Sequence, residues 1–152
     1  MGKAVHLVKD ITMSSSVTFA PQLYIGNGVH DIGFYERAFN AKEIQRWTND
    51  DGSIHVAELS IGGALFHLHE EASRKELKSP HSVNGSTVLI GLFVPDVDLV
   101  MQSAIAAGAV EVSPAQDYDY GYRQGMLRDP FGHEWMIEKK LASWYLSRHF
   151  KK

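Results

Sequence analysis

Residues 129–138, with the sequence DPFGHEWMIE, decide the fold. The Asp-Pro pair and the glycine after Phe131 indicate a tight turn, and residues 134–139 then follow a pattern typical of a β-strand. Working outward from this turn, two β-like runs precede it, over 109–112 and 121–127. Further upstream, residues 87–94 predict a strand, and Asp96 is placed to cap a helix that carries apolar residues at helical spacing. The second half of the chain therefore follows the order βαβββ.

The first half shows the same order. Residues 17–25 predict a strand, and Tyr35, Ala38 and Phe39 mark a helix that ends near Asn40. Three β-like runs follow, over 43–48, 53–61 and 64–70, and residues 71–86 predict a connecting loop. Residues 23–25 overlay 92–94 at an offset of 69, whereas Glu70 overlays Glu138 at an offset of 68. We infer a duplicated α+β fold, with an ordinary unduplicated α+β domain as the alternative.

The repeat sets the expected domain boundaries. An N-terminal arm covers residues 1–17, and one domain covers 18–140, with a first module over 18–70 and a second over 87–139. Residues 141–152 predict a terminal helix, because apolar side chains recur there at helical spacing.

Composition limits the classes of function. The chain has 152 residues, is 44% hydrophobic, contains no cysteine and carries a formal net charge of −3. These values exclude disulfide scaffolds, thiol nucleophiles and zinc ribbons, and give no electrostatic reason to bind nucleic acid or an anionic membrane. There is no long apolar run and no signal-peptide pattern, so we expect a cytoplasmic protein. Nucleophile-elbow, phosphate-loop and dinucleotide motifs do not occur, and no catalytic residue is predicted.

Four segments carry a resemblance to a known family: residues 34–41, 57–63, 106–109 and 129–135. In this order and spacing, the chain resembles the vicinal oxygen chelate superfamily of glyoxalases, bleomycin-resistance proteins and ring-cleaving dioxygenases, and most of all its PhnB-like branch. The resemblance implies two βαβββ modules whose curled sheets form a cup, and it implies a homodimer. Metal-using members take their ligands from the first and last strand of each module.

Those ligand positions fall at Ala20, Leu68, Leu89 and Met136. Alanine and leucine have no donor atom, and a thioether is too soft for zinc, magnesium or manganese. We therefore expect no metal and no cofactor. A register shift of one residue would instead select His67 or His69, which flank Leu68 and share one face of a strand.

Strand alternation predicts which residues line the cup. These are Gln22, Tyr24, Phe66, Leu68, Gly91, Phe93, Glu134 and Met136. Glu70 and Glu138 fall on the same face, either as an acid–base pair or as strand ends in water. Arg123 is expected to meet an anionic ligand or to form a surface ion pair.

The sequence favours a metal-free protein that binds a small, partly apolar molecule in the cup. The alternative within the same superfamily is a metal-dependent lyase, isomerase or dioxygenase with ligands from His67, His69, Glu70 or Glu138. A regulatory or scaffold domain with a filled cup is a third possibility.

Overall fold

The computed structural model describes residues 16–72 and 76–142. The first module consists of β1 (Gln22–Ile25), α1 (Phe34–Phe39), β2 (Lys42–Thr48), β3 (Ile54–Ile61) and β4 (Ala64–Glu70). A short helix, α2 (Pro80–Val83), lies in the connection. The second module consists of β5 (Leu89–Phe93), α3 (Val97–Ala106), β6 (Val110–Tyr118), β7 (Tyr122–Arg128) and β8 (Glu134–Lys140).

Each module forms one four-stranded sheet with the same topology. The strand orders are β1-β4-β3-β2 and β5-β8-β7-β6. The first and last strands of each module pair in parallel, and the other pairs are antiparallel. The predicted α+β fold of two βαβββ modules is therefore confirmed. The predicted arm over 1–17 and terminal helix over 141–152 lie largely outside the described residues and stay predictions.

The strand pairing corrects the register of the repeat. Gln22 pairs with His67 in the first sheet, and Gly91 pairs with Met136 in the second. Both members of the second pair lie 69 residues after their counterparts, so the offset of 68 inferred for the last strands was wrong. Because side chains on a strand alternate between faces, a slip of one residue exchanges the two faces of β4.

One hydrophobic core joins the two modules. The inner face of the first sheet contributes Phe66 and Leu68, and that of the second contributes Trp135 and Ile137. The Phe66 and Trp135 rings meet edge to face at 6.1 Å, and Phe39 of α1 packs on Trp135 at 4.8 Å. Helices α1 and α3 also contact each other. The other face of each sheet therefore lies outside this core.

The turn at residues 129–133 connects the modules through the buried carboxylate of Asp129. The Tyr35 hydroxyl from the first module donates to Asp129 Oδ2 at 2.6 Å, and Trp135 Nε1 donates to the same oxygen at 3.0 Å. The backbone N–H groups of Phe131 and His133 donate to Oδ1. Burial raises the pKa of Tyr35, and the charge of Asp129 and its hydrogen bond raise it further.

Local capping sets the ends of two helices. Asp96 begins α3 as predicted, because its Oδ1 accepts a hydrogen bond from the backbone N–H of Leu99 at 3.0 Å. The short helix α2 was missed within the predicted loop over 71–86. Pro80 indicated a break, but it stands at the start of the helix, where proline is favoured, and Ser79 caps it. Among the described helices, none is long and apolar enough to span a membrane.

Candidate functional site

The face of each sheet that points away from the core is called its open face. The first open face carries Gln22, Tyr24, Glu58, His67 and His69, which share one side through the pairing of β1, β4 and β3. The second open face carries Gly91, Phe93, Gln124, Met126, Glu134, Met136 and Glu138. Their neighbours in sequence, such as Leu68 and Ile137, are fully buried in the core.

The residues predicted to line one cup divide among three places. Gln22 and Tyr24 lie on the first open face. Gly91, Phe93, Glu134 and Met136 lie together on the second open face. The assignment of Phe66 and Leu68 to the ligand face was wrong, since both point into the core and are 5% and 0% exposed. Their misplacement follows from the one-residue error in the repeat offset.

Arg123 lies on the other side of β7 from the second open face. Its guanidinium donates to both oxygens of Asp98 on α3, at 2.8 and 2.7 Å, and to Asp117 at 3.0 Å. The hydrogen bond from Arg123 lowers the pKa of Asp98. Of the two expectations for Arg123, the structure shows the ion pair, here with two carboxylates, and contact with an anionic ligand stays a prediction.

The centre of the second open face is the carboxylate of Glu138. It is only 9% exposed, and its Oε1 accepts a hydrogen bond from Gln124 Nε2 at 2.9 Å. Gln124 Oε1 in turn accepts from the hydroxyl of Tyr120. On the other flank, Gly91 of β5 leaves room for the second carboxylate oxygen, Oε2. This arrangement fixes one carboxylate within a largely apolar surface.

A row of aromatic rings borders Glu138. Phe93 meets Tyr122 at 6.4 Å, Tyr122 meets Tyr120 at 5.9 Å, and Tyr120 stacks on Tyr118 at 5.2 Å. Desolvation raises the pKa of Tyr120, with further contributions from Tyr118 and Glu138. Sequence reasoning missed this row, although the spacing of tyrosines at 118, 120 and 122 could have indicated side chains on one face of a strand pair.

The first open face carries the histidine pair. The rings of His67 and His69 lie 6.0 Å apart, and His69 stacks on Tyr24 at 5.5 Å. Gln22 Oε1 accepts a hydrogen bond from His69 Nε2, and His67 Nε2 lies 3.9 Å from a Glu58 oxygen. The offset of 68 placed this pair on the side of β4 opposite the cup-lining residues, whereas the observed pairing places it on the first open face. Gln22 and Tyr24 share their face.

The corrected register changes one of the four positions that hold metal in the superfamily. Met136 corresponds to His67 rather than to Leu68, so the set becomes Ala20, His67, Leu89 and Met136. One imidazole and three side chains without a suitable donor do not fit a divalent ion. Within residues 16–72 and 76–142, no three His, Asp or Glu side chains are grouped to hold a metal.

An apolar groove also runs between the two sheets. Its lining includes Phe19, Phe66, Ile90, Gly91 and Trp135, and its volume is about 210 Å³. Two predicted ligand residues from different modules, Phe66 and Gly91, line this groove. Sites for small molecules usually enclose roughly 300 Å³ or more. The groove is therefore small for such a ligand.

Sequence comparison finds a family that covers most of the chain. The model of the "Glyoxalase/Bleomycin resistance protein/Dioxygenase superfamily" matches residues 30–137. A protein of Mycobacterium tuberculosis, described as uncharacterized, is 34% identical over 142 residues, which are 90% of this chain and 83% of that protein.

Solved structures share the fold. An Arabidopsis thaliana gene product has a TM-score of 0.65 at 26% identity, covering 81% of this chain and 98% of that one. TioX from Micromonospora has a TM-score of 0.61 at 26% identity, covering 81% and 99%. The fosfomycin resistance protein FosX from Listeria monocytogenes, solved with Mn(II) and 1S,2S-dihydroxypropylphosphonic acid, has a TM-score of 0.57 at 19% identity, covering 88% and 98%. The likeness to FosX concerns the fold alone.

Proposed function

The chain belongs to the glyoxalase/bleomycin resistance protein/dioxygenase superfamily, and from this premise we propose that it binds a small, partly apolar molecule on the second open face without a metal ion. The observation that carries the proposal is the composition of that face. Phe93, Met126 and Met136 surround the buried carboxylate of Glu138. Apolar walls with a few fixed polar groups are what a small-molecule site requires.

The apolar residues of this face are accessible and adaptable. Phe93 is 60% exposed, so its ring is available to a ligand. Met126 and Met136 pair directly across β7 and β8, and methionine side chains adjust to irregular shapes through their rotatable bonds. Burying such side chains under a ligand would contribute roughly 25 cal/mol for each Å² of apolar surface removed from water.

A second copy of the chain would supply the missing wall of the site. The two open faces lie on opposite sides of the shared core, so the residues of one chain that the structure describes do not close a cavity over the second open face. Leu89, at the start of β5, lies on this face and is 47% exposed. We therefore propose a homodimer in which the partner covers it, as the superfamily resemblance implies. The PhnB-like branch and a cytoplasmic location also remain predictions.

The binding proposal is tested by a thermal-shift screen of aromatic fragments. Compounds that raise the melting temperature of the wild type are expected to have little effect on Phe93→Ser. Leu99→Ser is the matched control, because Leu99 is 58% exposed on helix α3, away from the site. Hits that act equally on both variants contradict the proposed location. A screen without hits favours the regulatory or scaffold alternative.

The histidine pair favours a second candidate, a metal-dependent lyase, isomerase or dioxygenase. Two imidazoles on one strand face could provide two ligands of a metal site, although no third ligand joins them in the described residues. Elemental analysis after chelator treatment and re-addition of zinc, manganese or iron tests this candidate. Stoichiometric metal in the wild type and its loss in His67→Ala would replace the metal-free proposal.

A further inference from the structure

We propose that the second open face selects small molecules that carry a protonated amine next to an aromatic group, with Glu138 as the carboxylate that binds the amine. The inference rests on the proposed binding function and names the chemical class of its ligand. It depends on three features of the face: an unused carboxylate oxygen, a glycine that makes room for it, and a row of aromatic rings.

The first feature is the unequal use of the two oxygens of Glu138. Oε1 accepts a hydrogen bond from Gln124, whereas the described part of the chain shows no donor to Oε2. The residue is nevertheless largely buried, with only 9% of its surface exposed. A carboxylate that has lost most of its water is costly unless donors replace it, and glutamate is seldom buried without a partner. A ligand that donates a hydrogen bond to Oε2 would provide the missing partner.

The second feature is Gly91, which Glu138 approaches closely. A Cβ atom at position 91 would lie 2.9 Å from Glu138 Oε2, well inside van der Waals contact. The backbone of Gly91 does not adopt a positive φ, so its conformation does not require glycine. Glycine weakens a strand interior and often marks a close approach of another group. Here the approaching group is the carboxylate oxygen that lacks a donor.

The third feature is the row formed by Phe93, Tyr122, Tyr120 and Tyr118, with ring centroids 5.2 to 6.4 Å apart. The faces of aromatic rings attract cations, and the attraction strengthens where water is excluded. Phe93 lies directly across from Glu138 in the pairing of β5 with β8. A protonated amine at the carboxylate would therefore leave the aromatic part of the same ligand against the ring row.

The other charged side chains near the face either form ion pairs or lie at its edge. Glu134 pairs with Arg128 at 3.0 Å, which leaves it less suited to bind a ligand cation. Lys140 lies two residues beyond Glu138 at the end of β8 and is exposed, and the structure shows no ion pair between them. Glu138 is thus the carboxylate of this face that is both buried and incompletely hydrogen-bonded.

The test compares three probes of similar size by isothermal titration calorimetry: 1-naphthylmethylamine, 1-naphthalenemethanol and 1-naphthoate. For the wild type we expect the amine to bind about tenfold more tightly than the alcohol, since hydrogen bonds between charged groups are stronger than neutral ones. The naphthoate is expected to bind most weakly, because two carboxylates would face each other.

Three variants locate the preference. Glu138→Gln keeps an oxygen acceptor for Gln124, and we expect it to bind the amine and the alcohol with equal affinity. Gly91→Ala should reduce the preference by displacing the carboxylate. Glu111→Gln, which removes the same charge from an exposed position on β6, is the control and should keep the preference. Circular dichroism checks that each variant is folded.

The outcomes separate this inference from the function on which it rests. Equal binding of amine and alcohol to the wild type, or a preference that persists in Glu138→Gln, overturns the amine selectivity and leaves small-molecule binding intact. Failure of all three probes to bind overturns the proposed function and the selectivity together.

Discussion

At the residue scale, the Asp129 carboxylate is the group on which the two modules converge. It accepts hydrogen bonds from the Tyr35 hydroxyl, the Trp135 indole and two backbone N–H groups. All of these donors are buried, so water cannot replace the Asp129 carboxylate as their hydrogen-bond acceptor. The same residue begins the stretch over 129–138 that decides the fold from the sequence.

Replacing Asp129 with alanine should destabilise the protein strongly. Each buried donor left without an acceptor costs about 1–3 kcal/mol, so we expect Asp129→Ala to lower the free energy of unfolding by about 3 kcal/mol or more. Urea denaturation followed by tryptophan fluorescence measures the change. Asp50→Ala, at an exposed position, is the control and should change stability by less than about 0.5 kcal/mol. A loss below about 1 kcal/mol in Asp129→Ala contradicts this account of the connection.

The raised pKa of Tyr35 predicts a loss of stability in alkaline solution. The unfolded chain releases the tyrosine proton near pH 10.0, whereas the folded protein holds it to higher pH. Above that pH the folded state binds more protons than the unfolded state, so the free energy of unfolding must fall as the pH rises. We expect Tyr35→Phe to be less stable at pH 8 and to lose less further stability between pH 10 and 11. Equal slopes for both proteins over that range refute the prediction.

At the element scale, helix α3 depends on the cap that the sequence indicated. Asp96 accepts the Leu99 N–H at 3.0 Å, which satisfies one of the free donors at the helix start. We expect Asp96→Ala to lower the free energy of unfolding by about 1 kcal/mol and Asp96→Ser to retain most of the stability. Thermal denaturation of both variants distinguishes them. If alanine and serine have the same effect, the side-chain cap does not stabilise the helix.

Element order was predictable from the sequence because turn residues and periodicity are local signals. Asn40 ends α1 in the left-handed conformation, and Asp96 caps α3, close to where the pattern placed them. The sequence did not correctly predict which side chains of β4 point into the core. In β8 both faces carry apolar residues, so Met136 and Trp135 give no sign of which side is buried. The register of β4 was instead set by aligning Glu70 with Glu138. This one match took precedence over the clear alternation within β4, where Phe66 and Leu68 alternate with His67 and His69.

The candidate site was predictable only in part, since its parts meet through cross-strand register. Phe93, Gly91 and Met136 were recognised because they lie on two strands whose parity was correct. The connection from Glu138 through Gln124 to Tyr120 joins β8, β7 and the preceding turn. A single sequence does not reveal which residues of antiparallel neighbours such as β7 and β8 lie opposite each other.

At the scale of the whole molecule, the two open faces predict association. We expect sedimentation equilibrium to give twice the mass of one chain at micromolar concentration, because exposed apolar side chains such as Leu89 then become buried. Leu89→Lys should shift the equilibrium towards the monomer, whereas Leu99→Lys on α3 should not. A wild-type protein that stays monomeric contradicts the homodimer.

The central claim is that the second open face binds the ligand, and methionine methyl groups report on it directly. Met126 and Met136 lie on this face, whereas Met101 belongs to α3, packs in the core and is 4% exposed. In a protein labelled with ¹³C at the methionine methyl groups, a fragment found by thermal shift should move the NMR signals of Met126 and Met136 and leave that of Met101 nearly unchanged. Movement of the Met101 signal alone, or of none of the three by a compound that binds, would contradict the account.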